Sequence, residues 1–70
     1  MAKKRAIEHV LPLGGTGWAV KSSEAKKFTA ITDSQKEAIT IAREIAKSKG
    51  GVLVIHAKDG SIKAKESYPS

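Results

Sequence analysis

The chain reads as a single α+β domain: an antiparallel sheet of four to five strands in the order β-β-(β)-α-β-β, with one amphipathic helix packed on one face. Three observations predict this. A capped apolar stripe of helical period fills positions 34–49. Alternating residues on either side of a Gly-rich break, within 7–21, read as a hairpin, and Asp59-Gly60 divides a second β-rich stretch into another. Seventy residues allow one small domain, and chains of this size bury only about 60% of the surface exposed on unfolding. Cysteine is absent, which excludes disulfides, thiolate zinc sites and a cysteine nucleophile.

Residues 1–6, opening Met1-Ala2-Lys3-Lys4-Arg5, are cationic with little to bury and read as a disordered tail. The domain proper is expected over 7–68, with 69–70 as a second tail. From Ile7 to Leu13 the odd positions Ile7, His9, Leu11 and Leu13 are the more apolar face. The Gly14-Gly15-Thr16-Gly17 break then acts as a four-residue loop, opposing Leu13 to Trp18 and Leu11 to Val20. Pro12, which has no donor, suits an edge strand or a strand's last turn. Phe28-Thr29-Ala30-Ile31 is a short candidate third strand.

Ser34-Gln35-Lys36-Glu37 has capping-box spacing, in which hydroxyl and carboxylate each satisfy an orphaned amide of the first turn. Ala38, Ile41, Ala42 and Ile45 follow on one face, widened by Ile39 and Ala46, while Thr40, Arg43, Glu44 and Lys47 form the other. Lys47 and Lys49 complement the carbonyl end, and Gly50-Gly51 supply a left-handed exit.

Val52 to Lys58 is β-rich, and a two-residue Asp59-Gly60 turn needs positive φ at both positions. It would oppose Ala57 to Ile62, Ile55 to Ala64 and Leu53 to Glu66 on a core face. Val54, His56, Lys58, Ser61, Lys63 and Lys65 would then lie on the other face, with His56 opposite Lys63 and Val54 opposite Lys65.

His9-Val10, Pro12, Gly17-Trp18-Ala19-Val20-Lys21, Glu37-Ala38-Ile39 with Ala42 and Ala46, Val54-Ile55-His56, Asp59-Gly60-Ser61-Ile62 and Ser67-Tyr68 occur in an order and spacing that resembles the small bacterial family catalogued as domain of unknown function 2188. The resemblance spans about residues 8 to 68. It implies a compact stand-alone α+β domain and no particular reaction or cofactor. Gly14-Gly15-Thr16 is richer in glycine than the family's usual turn at that place.

Thirteen Lys plus Arg against seven Asp plus Glu leave a formal net charge of +6, a potential that attracts nucleic acid or acidic proteins. Lys21, His56, Lys58, Lys63 and Lys65 are the candidate anion-binding residues, gathered on the face away from the helix. The expected function is a non-enzymatic binding module engaging nucleic acid or another anionic partner. The alternative is a homodimer closed over the outward apolar residues Val10, Ala19 and Val54. The glycine cluster 14–17 lacks the following helix and the Lys-Ser/Thr ending of a phosphate loop. His9 on the core face and His56 on the open face would not cooperate, so no catalytic, metal or cofactor site is expected. Trp18 is expected in the core, and the three aromatics do not share a strand, which disfavours base stacking. The basic start runs into Glu8 without the apolar stretch of a signal peptide, and no apolar run is long enough to cross a membrane. The expected location is cytoplasmic.

Overall fold

The computed structural model describes residues 6–69; of the expected tails over 1–6 and 69–70, residues 1–5 and 70 lie outside the described residues. Five strands, β1 (Ile7–Pro12), β2 (Trp18–Ser22), β3 (Ala30–Thr32), β4 (Val52–His56) and β5 (Ile62–Ser67), form one sheet in the order β3-β2-β1-β4-β5. The helix α1 (Gln35–Lys49) enters between β3 and β4 and covers one face. The sheet is mixed instead of antiparallel: β1 and β4 are parallel, with His9 beside Val54 and Val10 beside Ile55. Each hairpin is antiparallel by local necessity. The join between hairpins is set by the helix, whose 15 residues, rising about 1.5 Å each, carry the chain back from β3 to the free edge of β1. No local pattern announces that crossover.

The helix has the expected ends. Ser34 is the N-cap, its hydroxyl accepting from the Glu37 amide at 3.2 Å. The Glu37 carboxylate accepts from the Ser34 hydroxyl, at 3.2 Å, which replaces the expected return bond to the Ser34 amide. Gly50 takes the left-handed conformation (φ 62°), donating to the carbonyls of Ala46 and Lys47. Ala38, Ala42 and Ala46 are fully buried, with Ile39, Ile41 and Ile45 flanking them. This stripe of small residues rests on Val10, Val20, Leu53 and Ile55.

The first hairpin differs from expectation by one residue. Leu13 leaves the strand, and its amide donates to the Gly17 carbonyl at 2.9 Å. The loop therefore takes five residues, 13–17, and the strands pair Pro12 with Trp18, Leu11 with Ala19 and Val10 with Val20. A one-residue slip turns every β1 side chain to the opposite face. Val10 and Glu8 thus lie under the helix, fully buried, while Ile7, His9 and Leu11 face away from it. Pro12 is the last residue of a central strand, where it is tolerated because the ladder to β4 ends at Val10.

The second hairpin compensates for its own irregularity. The Gly60 amide donates to the Ala57 carbonyl and the Ala57 amide to the Ser61 carbonyl, so the loop is Lys58-Asp59-Gly60. Only Gly60 in it has positive φ, 94°, the pattern of a three-residue turn closed by a left-handed glycine. This brings Ile62, not Lys63, opposite His56. A β-bulge then absorbs the extra residue, restoring Ile55 with Ala64, Val54 with Lys65 and Leu53 with Glu66 as expected.

Gly51 marks the tightest approach in the fold. Its amide donates to Ala46, its carbonyl accepts from Tyr68, and a Cβ there would stand 2.2 Å from the Ala6 carbonyl oxygen. That oxygen accepts from the Val52 amide at 2.7 Å and starts the β1–β4 ladder. Gly51→Ala is expected to destabilise the fold by about 2 to 3 kcal/mol in urea unfolding. Gly14→Ala, where nothing lies within 4 Å, should stay within about 0.5 kcal/mol.

Candidate functional site

The sheet face opposite the helix carries Ile7, His9, Leu11, Ala19, Lys21, Ile31, Val52, Val54, His56 and Lys65 in alternation. Two rows cross it. Lys21, His9, Val54 and Lys65 stand side by side on β2, β1, β4 and β5, so the outer lysines are about 14 Å apart at the backbone, three strand spacings. The neighbouring row is apolar, with Leu11, Ala19 and Ile31 paired in turn. Ala19 and Val54 are buried although no helix covers them; their larger neighbours close over them and leave a floor with polar ends.

No strand carboxylate lies on this face. Of the seven carboxylates, only Glu8 and Glu66 lie on strands, and both turn to the helix side. Glu8 is fully buried and accepts from the Ser22 hydroxyl at 2.5 Å, while its Oε1 has no hydrogen-bond partner among the described residues. Glu66 meets Arg43 of the helix through two 3.3 Å contacts and accepts from the Tyr68 hydroxyl. These two partners, Tyr68 first, hold the Glu66 carboxyl below the usual carboxylate range.

The β1 register brings together two histidines that sequence reasoning placed on opposite faces. His9 Nδ1 lies 3.1 Å from His56 Nε2. His56 Nδ1 lies 3.1 Å from the Gly60 carbonyl, and His9 Nε2 lies 2.7 Å from the Ser23 hydroxyl. A carbonyl only accepts, so His56 Nδ1 carries a hydrogen and its Nε2 is an acceptor when the ring is neutral. His9 Nδ1–H then donates to it, and Ser23 donates to His9 Nε2. All the hydrogen bonds run one way, from Ser23 through His9 and His56 to Gly60. Burial lowers the His9 pKa from its ordinary 6.5, helped by the nearness of His56 and Lys21 and opposed by Glu8.

The ring centres are 5.4 Å apart, which is the 3.1 Å contact plus the two ring radii. The rings therefore meet head-on, with a hydrogen between them, whereas a shared metal ion would bend that line. Among the described residues no group of three or more His, Asp or Glu converges on a metal site. Ser23, His9 and His56 do have the connectivity of a nucleophile, a base and an orienting group. The Ser23 amide, however, is committed to the Ile7 carbonyl at 2.9 Å and is not directed at a developing oxyanion.

Of the expected anion-binding residues, Lys21, His56 and Lys65 share the open face. Lys58 stands exposed in the loop beyond β4. Lys63 is a correction: the bulge displaces it, and its ammonium donates to Gln35 Oε1 at the start of the helix, 3.4 Å away. His9 was missed because its face depends on the loop length before β2, which the glycines leave open. Trp18 and Tyr68 pack against the core cluster and Phe28 lies outside the strands, so no aromatic occupies the face.

The model of a family described as an uncharacterized protein conserved in bacteria (DUF2188) matches residues 8–68. The chain is 47% identical over 58 residues to the uncharacterized protein YdaT of Bacillus subtilis (strain 168), covering 83% of this chain and 38% of that relative. The chain thus spans well under half the relative's length. No solved structure matches. No helix among the described residues is long and apolar enough to cross a membrane.

The histidine pair makes stability sensitive to mild acid. Because the folded His9 pKa is below 6.5, the unfolded chain binds more protons just under that value, so stability rises with pH there. The contribution is fully present above pH 6.5 and is lost as pH falls through the lower, folded pKa. The thermal midpoint is expected to fall between about pH 7.5 and 5.5, and the fall should shrink in His9→Gln. An equal fall in that variant would assign the effect to other groups.

Proposed function

The chain belongs to the bacterial family DUF2188, and we propose that it is a non-enzymatic module that binds the phosphate backbone of nucleic acid on its open sheet face. One observation carries the reading: that face presents Lys21 and Lys65 with the two histidines between them, and none of the strand carboxylates is on it. Lys58 adds a charge at the rim. The absence of aromatics from the face favours contact with phosphates over stacking on bases, so the binding is sequence-independent.

A second reading, self-association through the same face, draws on Ile31 and Ile62, which are 65% and 63% exposed. A face-to-face dimer would also bring the Lys21 and Lys65 ammonium groups of two copies into one interface. Burying like charges together is costly, and this favours an anionic occupant.

Three phosphate contacts, from Lys21, Lys65 and Lys58, give a salt slope near −2 on a single strand. Affinity for a fluorescein-labelled oligothymidylate should therefore fall about 20-fold between about 50 and 200 mM salt. Lys21→Ala with Lys65→Ala should reduce that to about threefold, one contact remaining. A wild-type change below twofold in fluorescence anisotropy would sink the reading. A salt-insensitive dimer in sedimentation would favour self-association.

A further inference from the structure

Within that face the Ser23–His9–His56–Gly60 chain is unexplained by phosphate contacts from lysine alone. Its direction decides where a proton can be added. A proton on His56 Nε2 would oppose the His9 Nδ1–H head-on across 3.1 Å. A proton on His9 Nε2 leaves the inter-ring bond intact and makes it charge-assisted, which strengthens it. The only change needed is at Ser23, 2.7 Å away, whose hydroxyl must reverse from donor to acceptor. Ser23 is exposed and borders a groove of about 820 Å³, so the proton arrives from solvent and the reversed hydroxyl hydrogen is free to point outward.

We propose that His9 and His56 take up one proton between them, and that the singly protonated pair is the central phosphodiester contact of the face, with Ser23 turned into a donor to the phosphate. This rests on the anion-binding reading above. Burial, His56 and Lys21 disfavour a proton on His9, and Lys65 stands on β5 beside Val54. Glu8 of β1 favours protonation from the far side of the sheet, and Asp59, in the loop beside His56, is occupied by the Ser61 amide and hydroxyl. The helix packs on the opposite face, and its last residue, Lys49, lines with Glu24 the groove that Ser23 borders. A second proton must break the inter-ring bond, so the pair titrates in two separated steps.

The test measures oligothymidylate binding to the full chain at about pH 7.5 and 5.5, across about 50 to 200 mM salt. Phosphodiesters keep their charge over this range. The slope of log affinity against log salt is expected to steepen by about 0.7 at the lower pH, one added phosphate contact. His9→Gln should show one slope at both pH values. Ser23→Ala should keep the steeper slope but bind more weakly than wild type at low pH. A wild-type slope independent of pH, or a steepening retained in His9→Gln, overturns the proposal. Absence of binding at either pH instead sinks the anion-binding reading. The pair is then decided by ¹⁵N NMR titration of the imidazoles: a second proton displaced from the first by more than about one pH unit supports it, and two independent titrations overturn it.

Discussion

The hydrogen bond from the Leu13 amide to the Gly17 carbonyl is the constraint on which the two faces of the sheet depend. By closing a five-residue loop it fixes the parity of β1, and β1 is the central strand, paired to β2 on one side and β4 on the other. Parity there decides three things at once. Val10 enters the core, Glu8 goes beneath the helix, and His9 comes out beside His56. The same strand in the alternative register would remove the histidine pair and set a carboxylate on the face that carries Lys21. The composition of the open face is thus a consequence of loop geometry some way from it.

Much of the architecture was legible because its signals are local. Ser34, Gly50 and the alanine stripe define the helix through first-turn amides, a left-handed exit and a 3.6-residue period, none of which needs information from elsewhere in the chain. Leu53, Ile55, Ala64 and Glu66 were correctly faced because Asp59-Gly60 places the turn within one residue and the bulge at Lys63 removes the error. The parallel pairing of β1 with β4 was not legible, since it joins segments more than 40 residues apart by a helix whose landing point no spacing encodes. Nor was the β1 register: a run of three glycines and a threonine is compatible with either loop length, and Leu13 could belong to strand or loop. The site followed the same division. Lys21 and Lys65 were readable from strand alternation, whereas His9 and the displacement of Lys63 each required one irregularity to be known.

The helix side of the sheet accounts for both strand carboxylates, in different ways. Glu66, at the half-exposed edge, has the Arg43 guanidinium and the Tyr68 hydroxyl as partners, and these draw the end of β5 onto the helix. Tyr68 is further held by its amide bond to the Gly51 carbonyl and lies beneath the Lys47 ammonium, 5.9 Å from its ring centre. Such an exposed ion pair contributes little stability by itself; its greater effect is on position, because it retains the negative charge on the far side from Lys65. Glu8 is retained more expensively, with Ser22 as its one hydrogen-bond donor among the described residues, and an unpaired buried carboxyl oxygen opposes folding.

That cost bears on why the observed register prevails. Counting apolar side chains alone, the alternative would put Ile7, Leu11 and Leu13 beneath the helix in place of Val10 and Glu8, and it would look the better choice. The open face reduces that advantage. Ile7, Leu11 and Leu13 are already half-buried, and Ala19 and Val54 between the rows are buried outright, so the sheet shelters apolar surface on both sides. What then separates the registers is fit beneath the helix. Ala38, Ala42 and Ala46 bring the helix close to β1 and β4, and a close helix accommodates Val10 beside Ile55 more readily than Leu11, since excess volume in a packed layer is itself destabilising. The small residues of the helix select a small residue at the centre of the sheet, and the placement of His9 on the other face follows from that selection.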